Sequence, residues 1–270
     1  MRIILFLSLL FFAITADAEK ITVLLDWFPN PCHAPLFVAK QQGYFKAENL
    51  EVDLIGPADP TDPPKLVAAG KADIAITYEP QYREDVARGL PLEKIGDLIN
   101  HPLTSLVVLK NGPIKTLKDL KGKRVGYCGS GFNTTLLAIM LKTVGLTLND
   151  IELINVHYDL TQALLSKKID AVTGMMRTVE PIQMELLGQP ARVFYPEEHG
   201  VHSYSELIFV VQKNSIKDPR WANFMKAVKK GSDYLKKHPE ASWLEFVKTY
   251  PEQNNEINHR SWMATLPYFK

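Results

Sequence analysis

The chain has 270 residues, of which 31 are Lys or Arg and 30 are Asp or Glu, giving a formal net charge of +1. That balance, with no basic block and no aromatic-basic interleaving, argues against nucleic acid as a partner. Two cysteines are too few for a disulfide scaffold in an exported chain, and no segment beyond the N-terminus approaches the ~20 apolar residues of a membrane span.

Residues 1–18 read as a removable export signal. Arg2 supplies the positive start, residues 3–14 the apolar core, and Ala16-Asp17-Ala18 the small-x-small cleavage site. No Cys follows the cleavage site to take a lipid, so the expected location is the periplasm; a buried N-terminal strand is the alternative. The remainder suffices for one large or two modest domains.

Short β-branched runs then alternate with helical patterns, which predicts an α/β fold with doubly wound, mostly parallel sheets. Strands are expected at 21–25, 50–55, 74–77 and 92–99, with helices over 34–48 (broken near Gly43), 64–69 and 81–88. A second series follows, with strands at 104–109, 124–127, 151–155, 171–174 and 193–195. Its helices begin at a capping-box-like Thr116 and run over 134–144, 160–167 and 179–187. An apolar strand at 207–212 precedes helices over 219–236, 239–249 and from 256. The layout predicts lobe I from 19–104 and 207–270, and lobe II from 105–206. Two crossings between lobes make a hinge that lets them close on a ligand. A single large sheet is the alternative.

Four constellations can carry chemistry. The first is Asp26, Trp27, Asn30 and His33, where a strand runs into a proline-stiffened loop, the place where open α/β sheets hold small ligands. Trp27 offers a π-face for stacking, or is a core residue at a strand end. His33 lacks companions at metal-ligand spacing and reads as a hydrogen-bonding residue of the loop. The second is Tyr78, Glu79 and Tyr82 at the end of a strand, lining a crevice or forming a surface loop. The third is the glycine-rich turn Gly126 to Asn133, with Gly129, Ser130 and Gly131 at its centre, a cradle for oxygens or a plain strand-helix turn; it matches neither nucleotide-binding glycine pattern. The fourth is 195–206, where Tyr204 and Glu206 precede an apolar strand, so a partly buried Glu206 needs a donor and a ligand amine would serve. Glu197 and Glu198 are expected to be solvated. Catalytic patterns are thin: no GxSxG occurs, and Cys32 and Cys128 lack an evident base, although Cys32 adjoins His33. A Cys32–Cys128 disulfide would tie the lobes together and block closure.

Four blocks, LLDWFPNPCHAPLFVAKQQGYF, PTDPPKLVAAGKADIAITYEP, TSLVVLKNGPIKTLKDLKGKRVGYCGS and YPEEHGVHSYSEL, agree in order and spacing with one family. They resemble the thiamine-pyrimidine precursor proteins of the type II periplasmic-binding-protein fold. Its branches are the formylaminopyrimidine-binding (ThiY-like) components of ABC transporters and the fungal-type pyrimidine synthases. The synthase branch implies pyridoxal phosphate on a lysine, a donated histidine and a cysteine-rich run. Here those places fall at about Thr77, at about Gln81 and at 202–206, and none holds the required residue. The transporter branch implies an aminopyrimidine stacked on Trp27 and Tyr78 or Tyr82, with Glu206 accepting from its exocyclic amine. It also implies an ABC permease as partner, contact with the membrane only through that permease, a monomer, no cofactor and no catalysis. Cys32 stands where related loops vary, and a final packing helix is expected to be short or missing after Lys270. A sulfonate-like or amino-acid-like solute is the alternative ligand.

Overall fold

The structure is a computed structural model and describes residues 18–128 and 131–270. The expected export signal, but for its last residue, and Gly129 and Ser130 of the third constellation lie outside the described residues. In chain order the strands are β1 (Glu19–Leu24), β2 (Leu50–Ile55), β3 (Ile74–Thr77), β4 (Leu92–Ile99), β5 (Thr104–Leu109), β6 (Arg124–Tyr127), β7 (Glu152–Asn155), β8 (Ala171–Met176), β9 (Ala191–Phe194) and β10 (Leu207–Gln212). The helices are α1 (Ala34–Gln41), α2 (Tyr44–Ala47), α3 (Pro63–Ala68), α4 (Glu79–Ala87), α5 (Phe132–Lys142), α6 (Leu160–Leu165), α7 (Glu180–Leu186), α8 (Arg220–Lys237), α9 (Pro239–Thr249) and α10 (Glu256–Thr265). The capping box at Thr116 opens only a short 3-10 turn, Leu117–Leu120.

The strands form two five-stranded sheets, ordered β2-β1-β3-β10-β4 and β7-β6-β8-β5-β9. As expected, both sheets are mostly parallel, with four of five strands running the same way, and one antiparallel strand makes each of them mixed. β1 pairs in parallel with β2 and β3, while β10 is antiparallel to β3 and β4. The second sheet repeats this, with β6 parallel to β7 and β8 and β5 antiparallel to β8 and β9. The reason lies in the crossings. β1 and β3 end at the crevice between the sheets, whereas β5 and β10 arrive straight from the other lobe and must start there. A strand entered from the opposite end runs the opposite way.

The core follows the residue pattern. β3 (IAIT) is buried throughout and β10 (LIFVVQ) through its first five residues, as continuous apolar strands covered on both faces should be. On α8 the buried Trp221, Phe224, Ala227, Val228, Gly231 and Leu235 recur at helical spacing. That face packs on α1, where Gly231 lets the two backbones approach: a Cβ there would sit 2.3 Å from the Pro35 carbonyl oxygen and 3.0 Å from the Ala39 nitrogen. Gly231→Ala is therefore expected to lower stability by about 1–3 kcal/mol, although alanine favours helix more than glycine does. Urea unfolding checks this, and a variant at least as stable as the parent would contradict the packing.

Candidate ligand-binding site

Between the two lobes lies a cavity of about 270 Å³. Its walls come from the loop after β1, the end of β3 with α4, the end of β6 with α5, the end of β8 with α7, and the approach to α10. Strand ends converge here because the crossings bring the carboxyl edges of the parallel strands face to face.

Asp26, just past β1, is the polar centre of the lobe I wall. It is 3% exposed, yet both its oxygens are served: His33 Nε2 lies 2.8 Å from Oδ1, and the Tyr78 hydroxyl donates to Oδ2 at 2.8 Å. His33 Nδ1 accepts the Asn30 backbone N–H at 3.4 Å, so its proton sits on Nε2 and points at Asp26. Asn30 caps the turn Pro31–His33 with its Oδ1 on the Cys32 N–H and gives its Nδ2 to the Phe28 carbonyl. The loop is thus rigid by its own hydrogen bonds. Burial, then the Asp26 charge, pushes the Tyr78 hydroxyl well above the usual tyrosine range, so it stays a donor.

Aromatic rings cross the gap. Tyr78 of lobe I stacks on Phe132 of α5, with centroids 4.6 Å apart and planes 24° off parallel. Trp27 meets Tyr158 of lobe II edge-on at 4.5 Å, and the exposed Phe28 lies 4.9 Å from the same ring. Trp27, Asn30 and Tyr78 line the cavity, as do Thr77 and Gln81.

Other expected residues sit elsewhere. His33 supports Asp26 from behind and is fully buried. The carboxylate of Glu79 accepts the Ser205 N–H at 2.7 Å and pairs with Arg83, fastening α4 to the second crossing. Tyr82 packs on the lobe I cluster of Val67, Ile208 and Val210, and Tyr204 in the lobe II core. Gly131 stands at the start of α5, where the Thr134 hydroxyl donates to its carbonyl, and the Thr135 hydroxyl donates to Glu84 of lobe I at 2.9 Å.

Glu206 is not among the lining residues. It is fully buried, and its donors are the protein's own: the Leu103 and Thr104 N–H groups on Oε2 and the Thr104 hydroxyl on Oε1 at 2.6 Å. It ties the second crossing to the first. Glu197, expected to be solvated, is instead held below the usual carboxylate range against its partial burial by Arg177, which reaches it with both terminal nitrogens at 2.7 and 2.8 Å. The same guanidinium lies 4.1 Å over the Tyr195 ring.

Both cysteines are free and buried. Burial raises the Cys32 thiol well above its usual range and the Cys128 thiol to about 12. The ring nitrogens of His33 are engaged by Asp26 and Asn30, and Cys32 Sγ lies 3.5 Å from Met176 Sδ of lobe II. Neither thiol is set up as a nucleophile.

Phe132 and Asn133, at the end of the expected 126–133 turn, line the cavity, and residues the pattern did not single out complete it: Glu180 from lobe II, and Gln253 and Asn258 near the C-terminus. Only the position of Glu180 at the start of a helix following a strand could have suggested it. Glu180 Oε2 accepts the Met176 N–H at 2.7 Å, and burial raises its carboxyl to about 7. A carboxyl whose folded value lies above its unfolded one binds more protons when folded, so its share of stability is present at low pH and is lost as pH rises from about 4.5 to 7. Glu180→Gln is expected to be closest to the parent in stability at pH 5 and to exceed it at pH 7.5 by about 2 kcal/mol more. Urea midpoints at the two pH values test this, and parallel profiles for both proteins would contradict it.

Among the described lining residues there is no Lys, Arg or His, while two carboxyl groups, Asp26 and Glu180, are present.

Residues 30–242 match the family model described as NMT1/THI5 like. A Haemophilus influenzae protein provisionally named for thiamine biosynthesis is 47% identical over 251 residues, 93% of this chain and 80% of that protein. The formylaminopyrimidine-binding protein of Halalkalibacterium halodurans is 30% identical, covering 87% of this chain and 72% of its own. The 4-amino-5-hydroxymethyl-2-methylpyrimidine phosphate synthase of Uromyces fabae is 31% identical, covering 93% and 77%. Among solved structures, the alkanesulfonate-binding protein SsuA of Xanthomonas axonopodis pv. citri superposes with a TM-score of 0.74 at 16% identity, covering 94% of this chain and 86% of its own. That likeness establishes the fold, the two-lobed type II architecture of periplasmic binding proteins. By family model and by sequence relatives alike, this chain is a member of the NMT1/THI5-like family.

Proposed function

We propose that the protein is an exported solute-binding protein that captures a thiamine pyrimidine precursor of the formylaminopyrimidine type by closing its lobes. It then delivers that solute to an ABC importer. One observation carries the reading: the interlobe cavity is walled by Trp27, Tyr78 and Phe132 and holds two carboxyl groups with no cationic side chain among its described lining. Such a site suits a flat, hydrogen-bond-donating ring and repels a sulfonate or phosphate, whatever the sulfonate-binding neighbours share in fold. A volume of about 270 Å³ suits a single-ring solute. The relative that binds formylaminopyrimidine supports the same ligand class. Thr77 and Gln81, in the places of the synthase lysine and histidine, support binding over synthesis.

Micromolar capture requires about 8 kcal/mol. Aromatic stacking contributes about 0.5–1.5 kcal/mol per pair, and each hydrogen bond to a carboxylate about 1.5–3 kcal/mol. Ring burial supplies the remainder. Calorimetry on the mature protein with N-formyl-4-amino-5-aminomethyl-2-methylpyrimidine is expected to show micromolar or tighter binding, with a change in tryptophan fluorescence. Absence of heat with any aminopyrimidine, together with binding of an alkanesulfonate, would overturn the reading.

A further inference from the structure

The C-terminal wall of the cavity holds a pair of side-chain amides with a fixed polarity. Gln253, in the turn Pro251–Gln253, and Asn258 on α10 both line the cavity and are half-buried. Asn258 Nδ2 donates to the Gln253 backbone carbonyl at 3.1 Å and to Gln253 Oε1 at 2.9 Å. A backbone carbonyl only accepts, so the nitrogen of Asn258 must face it, and Gln253 must turn its oxygen to that nitrogen. The atoms left over, at the two ends of one bonded amide pair, are a donor, Gln253 Nε2, and an acceptor, Asn258 Oδ1. Neither has a hydrogen-bond partner among the described residues, and neither is buried out of reach of a solute.

The pair is set before any ligand arrives. The Asn255 side chain caps α10 by accepting the Asn258 N–H at 2.9 Å, and the Asn255 N–H donates to the Gln253 carbonyl at 2.9 Å. α10 packs on the turn Pro31–His33, whose His33 holds Asp26, and on α7, which opens with Glu180. Arg260 of α10 also pairs with Glu185 of α7 at 3.3 Å. The amides thus share a cavity with two carboxyl groups and bring no charge of their own. Both lie beyond residues 30–242, the stretch that the family model matches.

An ionised carboxylate accepts from the amine of an aminopyrimidine ring and repels a carbonyl oxygen. The amide pair meets the opposite need, a neutral group that presents a carbonyl and an N–H close together. A secondary formamide is such a group. Resting on the aminopyrimidine reading of this cavity, we propose that Gln253 and Asn258 read the N-formyl arm of the ligand. Gln253 Nε2 donates to the formyl oxygen, and Asn258 Oδ1 accepts the formamide N–H. An apolar arm of the same size strips water from both atoms and pairs with neither.

The test compares N-formyl-4-amino-5-aminomethyl-2-methylpyrimidine with 4-amino-2-methyl-5-propylpyrimidine, which keeps the ring, its amine and the length of the arm. Wild-type protein is expected to prefer the formyl ligand at least tenfold by calorimetry. Gln253→Glu keeps the oxygen that Asn258 Nδ2 uses and replaces the donor by a second oxygen. It is expected to bind the formyl ligand at least tenfold more weakly than wild type and the propyl ligand within about threefold. Asn258→Leu is expected to lower the preference at least threefold. Thermal melting of the unliganded variants establishes that they are folded, and the wild-type comparison needs no variant. Equal or reversed wild-type affinities, or folded variants that keep the full preference, would overturn the inference while leaving aminopyrimidine binding intact. If wild type binds neither ligand, the reading of the cavity falls, and this inference with it.

Discussion

Asp26→Asn is expected to weaken aminopyrimidine binding by at least a hundredfold. The parent carboxylate offers four lone-pair positions, of which His33 Nε2–H and the Tyr78 hydroxyl occupy two, leaving acceptor capacity toward the cavity it lines. The asparagine amide has a single oxygen. Its NH2 group must face one of the two donors, and His33 cannot relieve the clash by moving its proton, because Nδ1 already takes the Asn30 N–H. The ligand thus loses a charged acceptor worth about 1.5–3 kcal/mol, and the wall that positions Tyr78 against Phe132 loosens as well. Tyr78→Phe keeps the ring and deletes only the hydroxyl, so a smaller loss, of about tenfold, is expected from it. Calorimetry with melting curves separates affinity from folding. A folded Asp26→Asn protein with affinity within threefold of the parent would remove Asp26 from the site.

The second large effect is one of stability. Glu206→Ala removes the acceptor of two backbone N–H groups and one hydroxyl at the crossing between lobes, all of them buried. Leaving those donors unpaired is expected to cost about 3–5 kcal/mol and to lower the melting temperature by roughly 10 °C. Glu206→Gln is expected to cost less, since its amide oxygen can keep the two N–H donors while its NH2 donates to the Thr104 hydroxyl oxygen. Burial raises the Glu206 carboxyl above its usual range, while the bonds from Leu103 and Thr104 oppose that shift. Because Glu206 does not line the cavity, the fraction that remains folded is expected to bind within about threefold of the parent. Retained stability with lost binding would return Glu206 to the ligand.

The contrast between these carboxylates shows where sequence reasoning stopped. Both follow the same local logic, an acidic residue beside an apolar strand, and only the position of the segments that meet them separates them. Asp26 ends β1 and looks across the crevice. Glu206 precedes β10 and meets Leu103 and Thr104, about a hundred residues away in the chain, so its donors are invisible to any local pattern. His33 was legible as a loop hydrogen bonder, because an Asn at the cap and a proline at the first helical position already describe the turn.

The sequence by itself determined the alternation of strands and helices, the apolar strands that cross between lobes, the family, and the place of the Asp26–Trp27 loop at a strand end. These are local properties, written in periodicity, punctuation residues and short ordered blocks. Only the tertiary structure decided that the sheets are mixed, that Glu206 fastens the hinge, and that Gln81, Asn133 and Glu180 share one cavity. Those facts depend on two lobes meeting, and spacing along one chain carries no measure of distance across a crevice.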